Sequence, residues 1–429
     1  MDCTVPVLRH ARGSAPVLGL RANWRQFALL VAINTFVGGM VGLERTILPA
    51  LARHDFGVGS STVAVSFIAA FALAKALANL FAGRLSARFS RRSLLIAGWL
   101  CGLPVPFVII WAPSWSWVIA ANVLLGLNQG LAWSMTVNMK IDLVGPRRRG
   151  LALGFNEAAG YLAVAGAAFL SGVIAEHAGL RPAPFYLGIA FAAGGLALSV
   201  LCVRDTTPFV VAEAAGHAER GPAPSLRQCF AETTWRRRHL FGVSQAGFVN
   251  NLNDGLAWGI FPLFFASHGL SIEGIAVLAA AYPLLWGGLQ LGTGWASDLV
   301  GRKPLIVGGM LLQGVAIALV GLSADFAGWL AGVVLLGVGT AMVYPTLLAA
   351  IGDAVHPHAR ATSLGVYRFW RDAGALAGAV LAGALVDAFG FTPAIYVIAL
   401  LTVFSGLVSA GALEQPSRRV SVAQMEVST

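Results

Sequence analysis

Ionisable side chains interrupt several long apolar stretches of the sequence, and these side chains are the residues most able to do chemistry there. An ionisable group inside a membrane costs roughly a few kcal/mol, so such groups are typical of substrate paths, ion pairs and proton relays. A carboxylate among them could bind a proton on one side of a membrane and release it on the other. The candidates are Glu44, Arg45, Lys75, Glu157, Asp254, Arg368, Arg371 and Asp372.

The most polar of these stretches contains Asn250, Asn251, Asn253 and Asp254. Asn250 and Asp254 are four residues apart, so in a helix they share one face. Two interpretations stay open. The stretch could line a transport path, or it could be a polar stripe that holds its helix to a neighbour.

The composition limits the class of protein. Of the 429 residues, 57% are hydrophobic and only 11% are charged, and the mean hydropathy is +0.75. A soluble domain usually has about 25% charged residues, so we exclude a soluble enzyme, a secreted disulfide scaffold and a disordered protein. The four cysteines have no CxxC spacing, so we expect no thiolate metal site. The net charge of +10 does not indicate nucleic-acid binding, because no basic surface domain displays the aromatic residues.

Apolar windows of about 20 residues, the length that crosses the hydrocarbon core, occur twelve times. They predict an all-α membrane protein with twelve transmembrane helices in two pseudo-symmetric six-helix bundles. The long polar segment 204–239 separates the bundles, 27–203 and 240–412, and the tails are 1–26 and 413–429. The predicted spans are 27–48, 62–82, 93–111, 117–139, 152–174, 185–203, 240–266, 275–295, 305–323, 329–350, 363–385 and 394–412.

Basic residues in short loops predict the orientation of these spans. With the N-terminus inside, 22 of the 29 Lys and Arg residues lie in cytosolic segments, and only Arg53 and Arg181 lie in outer loops. Both termini are therefore predicted to be cytosolic. The bias toward Arg and Ala indicates a bacterial chain, so we expect a multi-pass protein of the inner membrane.

The second half of the chain repeats the first at an offset of 211 residues. Six helices repeated in the same orientation predict a parallel repeat, whose halves are related by an axis along the membrane normal and enclose a central cavity. The aligned pairs include Gly83 with Gly294, Arg91 with Arg302, and Asp142 with Asp353.

The loop between predicted helices 8 and 9 is the most specific motif. Residues 294–303 read Gly-Trp-Ala-Ser-Asp-Leu-Val-Gly-Arg-Lys, which resembles the signature of the major facilitator superfamily of secondary transporters. The first-half copy keeps Gly83, Arg91 and Arg92 but has Ala87 where the family has Asp. The resemblance covers all twelve helices, and the chain looks most like the twelve-helix drug-and-proton antiporter branch.

The resemblance implies that helices 1, 4, 7 and 10 line the cavity and that helices 2 and 11 meet across the boundary between the halves. Asn128, Gln129 and Tyr344 then become candidates for lining the path.

The position of the acids on these helices predicts where the proton binds. Asp254 is the acid nearest the middle of a cavity-lining helix, so we predict that it carries the proton. Asn250 would orient Asp254 or the solute, with Asn251 beside it, and Glu44 is the rival site.

The repeated spacing of charged residues in the two loops predicts a gate at the cytosolic side. Asp298 would close it by pairing with basic residues, while glycines allow close helix approach and a tight turn. The alternative is that the arginines only satisfy the positive-inside rule. The predicted gate contains Gly83, Arg91, Arg92, Asp142, Gly294, Asp298, Gly301, Arg302, Lys303 and Asp353.

An ion pair between the halves is also predicted. Lys75 lies roughly 10 Å from the inner end of helix 2, and Asp372 lies roughly 14 Å from the inner end of helix 11, at 1.5 Å per residue. At similar depth the two side chains could pair, and neither charge would then be buried alone.

These observations predict a transporter, not an enzyme, driven by the proton gradient and without a cofactor. The first interpretation is export of a small hydrophobic, amphipathic or toxic compound, because mid-cavity charge is expected to be limited mainly to Asp254. The alternative is import of a small metabolite by proton symport, and a remote alternative is a non-transporting sensor or membrane enzyme. We expect a monomer in the lipid bilayer that binds a small-molecule substrate and no nucleic acid.

Overall fold

Long helices dominate the computed structural model, which describes residues 17–86, 88–145, 149–210, 225–355 and 357–414. These residues form helices and turns, with no strand among them. The predicted all-α class is therefore confirmed.

Twelve long helices, α1 to α12, follow the twelve predicted spans in order. Two are interrupted by a turn of π-helix, at Gln129–Trp133 in α4 and at Leu256–Ile260 in α7. The helices are α1 Leu20–His54, α2 Ser66–Ser86, α3 Arg91–Ile110, α4 Trp115–Val144, α5 Arg149–Ala178, α6 Phe185–Leu201, α7 238–267, α8 Ile272–Val300, α9 Arg302–Leu322, α10 Phe326–Ala354, α11 Pro357–Phe389 and α12 Phe391–Ala412.

Within the described residues, nine of these helices are long and apolar enough to cross a bilayer. In α2 and α6 the apolar parts, Ser66–Ala82 and Phe185–Leu201, are shorter. The remaining helix, α7, contains the asparagine-rich stretch, which lowers its hydropathy. The chain is thus a multi-pass membrane protein.

The two halves meet chiefly through two pairs of helices, α2 with α11 and α5 with α8, and α1 also contacts α7 and α8. The first pair is the one that the resemblance implied. Glycines allow the close approach: a Cβ added to Gly383 of α11 would lie 2.7 Å from Cα of Thr62, and one on Gly172 of α5 would lie 2.2 Å from Cβ of Ala276. Any larger residue at these positions would push the halves apart.

The C-terminal end of the predicted linker is helical. A short helix, Leu226–Ala231, and a π-helical turn, Glu232–Arg236, lead into α7. Trp370 of α11 donates its indole N–H to Thr234 Oγ1 at 3.0 Å, and Ser244 of α7 donates to the Thr233 carbonyl at 3.0 Å. This end of the linker therefore packs on the second half. The predicted domain boundaries remain predictions.

Candidate functional site

Charged side chains are concentrated where the two halves meet. The expectation that charge there would be limited mainly to Asp254 is wrong, because pairing and aromatic contact let a whole set of charges be buried together. Lys75 is partly buried, and five further ionisable residues there are at most 6% exposed: Arg45, Glu157, Asp254, Arg371 and Asp372. Glu44 and Lys140 are buried inside the first half, where Lys140 donates to the Leu30 carbonyl at 3.2 Å.

The predicted ion pair between the halves is present. Lys75 Nζ of α2 lies 3.5 Å from Asp372 Oδ1 of α11. Asn79, one turn beyond Lys75, donates to Asp372 Oδ2 at 2.7 Å and accepts from Ser134 at 2.8 Å. Sequence reasoning missed Asn79, although its spacing of four residues from Lys75 puts both on one face of α2.

Glu157 of α5 makes a second polar contact between the halves. Its carboxylate accepts from Trp133 Nε1 at 2.9 Å, from Asn156 Nδ2 at 3.1 Å and from the hydroxyl of Tyr344 at 2.9 Å. Trp133 and Asn156 lie in the first half and Tyr344 of α10 lies in the second. Tyr344, predicted as a lining residue, is thus a cross-half hydrogen-bond donor.

An aromatic layer joins α5 to α8 beside these polar groups. The ring of Tyr161 stacks on that of Trp286 with centroids 3.6 Å apart, and Trp286 meets Tyr344 edge-on at 5.5 Å. Arg371 of α11 donates to the Tyr161 hydroxyl at 3.0 Å, and its guanidinium lies 4.3 Å from the Tyr344 ring centroid. The neighbouring Arg368 is half-buried one turn away on α11. The layer gives the Arg371 cation both a hydrogen bond and an aromatic face.

Asp254 of α7 is buried, and its described hydrogen bond stays within the second half. It accepts from the Tyr282 hydroxyl of α8 at 2.5 Å, and that hydroxyl lies 3.2 Å from Thr340 Oγ1 of α10. Asp254 therefore has one close donor, whereas the Glu157 carboxylate has three. Asp254 is the carboxylate whose charge is less well compensated by hydrogen bonds.

The asparagines around Asp254 hold helices together. Gln313 of α9 donates to Asn250 Oδ1 at 3.0 Å and accepts from Asn253 at 3.0 Å, and Thr402 of α12 donates to Asn253 at 2.8 Å. Gln313 uses the amide oxygen of Asn250, while the amide nitrogen Nδ2 of Asn250 is buried without a hydrogen-bond partner. That Asn250 orients Asp254 or the solute remains a prediction. Asn251 is also buried, and its Oδ1 has no hydrogen-bond partner.

Asn128 and Gln129 make contacts within the first half. Asn128 Nδ2 donates to the Gly98 carbonyl of α3 at 2.9 Å, and Gln129 Nε2 donates to the Val37 carbonyl of α1 at 2.7 Å. Both side chains are fully buried in these helix contacts. The structure therefore uses them for packing rather than bringing them to the charges between the halves.

The basic loops of the predicted cytosolic gate form ion pairs inside each half. Arg91 Nε lies 2.6 Å from Asp142 Oδ2, while Arg92 instead reaches the Val200 carbonyl at 2.5 Å. The repeat-related Arg302 lies 2.6 Å from Asp298 Oδ1 and 3.0 Å from Asp353 Oδ2. These contacts connect α3 with α4 and α6 in the first half, and α9 with α8 and α10 in the second.

The glycines of the gate fit their predicted roles in part. Gly301 has φ of 100°, a conformation that favours glycine, at the turn before Arg302 and Lys303 of α9. Gly294 lies within α8, but a Cβ added to it would meet open space, so it is not a point of close helix approach. Gly83 lies within α2. The gating role of the whole set remains a prediction.

A polar contact at the opposite end of the bundle was missed. Asp387, near the end of α11, accepts from the backbone N–H groups of Ser61 at 2.6 Å and Thr62 at 3.0 Å and from Ser60 Oγ at 2.6 Å. These three residues begin the helical turn that precedes α2, so a carboxylate of the second half caps a helix start of the first half. Only its position outside the predicted span, after residue 385, could have drawn attention to it.

Two six-helix halves with buried charges between them are typical of a membrane transporter. A family model described as the Major Facilitator Superfamily matches residues 27–244 and again residues 243–426. The chain therefore belongs to the major facilitator superfamily. The antiporter branch within that family stays a resemblance.

Two kinds of relative are similar to this chain. The inner membrane transport protein YnfM of Escherichia coli (strain K12) is 28% identical over 149 residues, which are 34% of this chain and 36% of YnfM, so the match spans about a third of that relative. Crystal structures of a POT family transporter, with a thioalcohol-conjugated peptide and with 5-aminolevulinic acid, each give a TM-score of 0.73 at 12% identity. Each covers 90% of this chain and 95% of its own; at that identity they show the fold alone.

Proposed function

We propose that the protein is a proton-coupled transporter of the bacterial inner membrane that moves a small polar solute between its two halves by alternating access. The observation that supports this proposal is the set of buried charges at the junction of the halves. Charges are costly inside a membrane and are typical of solute and proton paths. A purely hydrophobic cargo would not need them, so the geometry favours a solute with polar or charged groups.

Alternating access requires the contacts between the two halves to change. Lys75 with Asp372 and Glu157 with Tyr344 each join one half to the other. If the halves rock against each other, these contacts break and re-form while the contacts inside each half persist. A proton or a solute that binds to one of these groups therefore favours one arrangement over the other.

Asp254 is the proton-carrying residue that we propose. It is buried, and its carboxylate has a single close donor, Tyr282. Glu157, with three donors, is better compensated as an anion and is the closest rival. Glu44 is the second rival, since one of its carboxylate oxygens has no hydrogen-bond partner.

Reconstituted protein tests the coupling. Asp254→Asn keeps the shape of the side chain but cannot change its charge, so we expect uptake driven by a pH gradient to fall by more than tenfold while exchange without a gradient survives. Glu157→Gln and Glu44→Gln are the matched variants for the rival sites. If Asp254→Asn keeps full gradient-driven transport, Asp254 is not the coupling residue. The coupling residue is then Glu157 or Glu44, according to which of their variants loses gradient-driven transport.

The direction of transport is tested in cells. A deletion strain with a plasmid copy is grown against a panel of toxic compounds and on a panel of sole nutrients. Lost resistance supports export, which was our first interpretation, and lost growth on a nutrient supports import. Failure of every compound to depend on the gene would contradict transport of a small solute.

A further inference from the structure

Arg45 is the most unusual cation between the halves. It lies on α1, is 1% exposed, and its Nε and Nη1 atoms have no hydrogen-bond partner. Arg371, by comparison, donates to Tyr161 and lies 4.0 Å from Asp372. None of the ion pairs within 4.0 Å that the structure describes includes Arg45, not even with the adjacent Glu44.

Aromatic rings from both halves surround this guanidinium. Its Cζ lies 4.8 Å from the ring centroids of both Phe71 in α2 and Trp258 in α7, and 6.0 Å from that of Phe67. Cation–π attraction offsets only part of the cost of removing a guanidinium from water. The N–H groups stay without acceptors, and a buried donor without an acceptor needs an explanation.

A second donor without an acceptor lies in the same place. The indole Nε1 of Trp258, whose ring covers Arg45, is buried and has no partner. Trp258 is also 6.0 Å from Tyr282, the donor to Asp254, between ring centroids. The unpaired donors therefore adjoin the proposed proton site. Guanidinium and indole N–H groups can only donate, so together they select a group that accepts.

We propose that Arg45 and the indole N–H of Trp258 bind the anionic head group of the transported solute, and that the solute is a small organic carboxylate with a flat apolar body. The planar fork of a guanidinium matches a carboxylate through two parallel hydrogen bonds. Phe67, Phe71 and Trp258 supply aromatic faces for the apolar body. This inference rests on the proposed transport function and names the class of its solute.

Probes with one ring and different head groups test this site. Binding of benzoate, phenyl phosphate, benzamide and benzylamine to the purified full chain is measured by tryptophan fluorescence and by the shift in unfolding temperature. We expect benzoate to bind on the order of tenfold more tightly than benzamide, since a charge-assisted hydrogen bond is replaced by a neutral one. Tighter binding of phenyl phosphate than of benzoate would overturn the carboxylate assignment in favour of a phosphate group.

Three variants test whether Arg45 and Trp258 cause the preference for benzoate over benzamide. Arg45→Gln should abolish the preference for benzoate over benzamide, Arg45→Lys should keep part of it, and Trp258→Phe should reduce it by about threefold because the ring stays and the N–H is lost. Arg181→Gln removes a guanidinium from an outer-loop pair with Asp55 and should change nothing. Because Arg45 is an unpaired buried charge, Arg45→Gln should leave the ligand-free unfolding temperature unchanged or raise it; a large loss would indicate a structural role and overturn the proposal.

The test of the carboxylate site can fail while the proposed transport function stands, and the two results can be told apart. Stronger binding of benzylamine, equal binding of all four probes, or no binding of any of them would overturn the carboxylate site. Transport driven by a pH gradient is measured independently with the solute found in the growth screen. If that solute is neutral or cationic, proton-coupled transport stands and the carboxylate site fails.

Discussion

The two ends of the bundle use their charged groups in different ways. At the predicted cytosolic end, the described ion pairs lie inside one half, as with Arg91 and Asp142 or Arg302 and Asp353. At the predicted outer end, Asp387 of the second half caps the start of a helical turn in the first half. Pairs inside a half move with that half, whereas the Asp387 contact must break when the halves separate.

This difference indicates which end is held closed in the structure. Close packing of Gly383 against Thr62 accompanies the Asp387 contact, so the outer end is joined by both packing and charge. The cytosolic ion pairs instead brace the short loops between consecutive helices. We infer that the outer contact is a latch between the halves, and that the cytosolic pairs keep each half rigid as it moves.

The largest expected effect is on the outer latch. Asp387→Asn removes a carboxylate that accepts two backbone N–H groups, and hydrogen bonds to charged groups contribute about 1.5–3 kcal/mol each. We expect the equilibrium to shift toward an outward-open arrangement by at least about tenfold. The distance between spin labels at positions 58 and 389, in a chain without its natural cysteines, measures this opening.

Asp325 offers a matched control at the same end. It caps α10 by accepting from the Gly328 N–H at 2.8 Å, entirely inside the second half. Asp325→Asn should change stability by only a few tenths of a kcal/mol, because asparagine caps a helix about as well as aspartate, and it should not change the spin-label distance. Equal opening by both variants would mean that helix capping at this end, and not a contact between the halves, controls the arrangement.

Much of this architecture could be predicted from the sequence, because hydropathy and internal repeats depend only on the order of residues along the chain. The twelve spans followed from apolar length, and the contact of Lys75 with Asp372 followed from depth along a helix together with the meeting of helices 2 and 11 that the family resemblance implies. The roles of Asn250 and Gln129 could not be predicted in this way. Their helices are buried on most sides, so the pattern of apolar residues does not show which neighbour a polar side chain faces. The Asp387 latch joins residues more than 300 positions apart, at helix ends where the sequence gives no register.

The next effect concerns the central ion pair. Asp372→Asn leaves Lys75 without its carboxylate, and because the pair is largely buried we expect a loss of about 2–3 kcal/mol of stability and a strong loss of transport. Exchanging the two residues, Lys75→Asp with Asp372→Lys, should restore part of both. Thermal unfolding and transport by reconstituted protein measure the two effects. If the exchanged protein recovers neither stability nor transport, position 372 needs a carboxylate for its contacts with Asn79 and Arg371 and not for its pair with Lys75.

The smallest effect is expected at the cytosolic loop, and it decides between two roles for the family motif. Asp298 is 62% exposed and pairs with Arg302 inside the second half, and exposed ion pairs contribute only about 0–1 kcal/mol. If the pair only braces the loop, Asp298→Asn should lower transport by about twofold, with no change in the distance between the halves. If Asp298 instead closes the cytosolic side in the other arrangement, transport should fall by tenfold or more while the protein stays in the membrane.

Asp353→Asn is the matched control, because it removes the other carboxylate from the same Arg302 without altering the motif. A large loss for Asp298→Asn alone would establish the gate, and similar small losses for both would leave Asp387 as the contact that distinguishes the two ends.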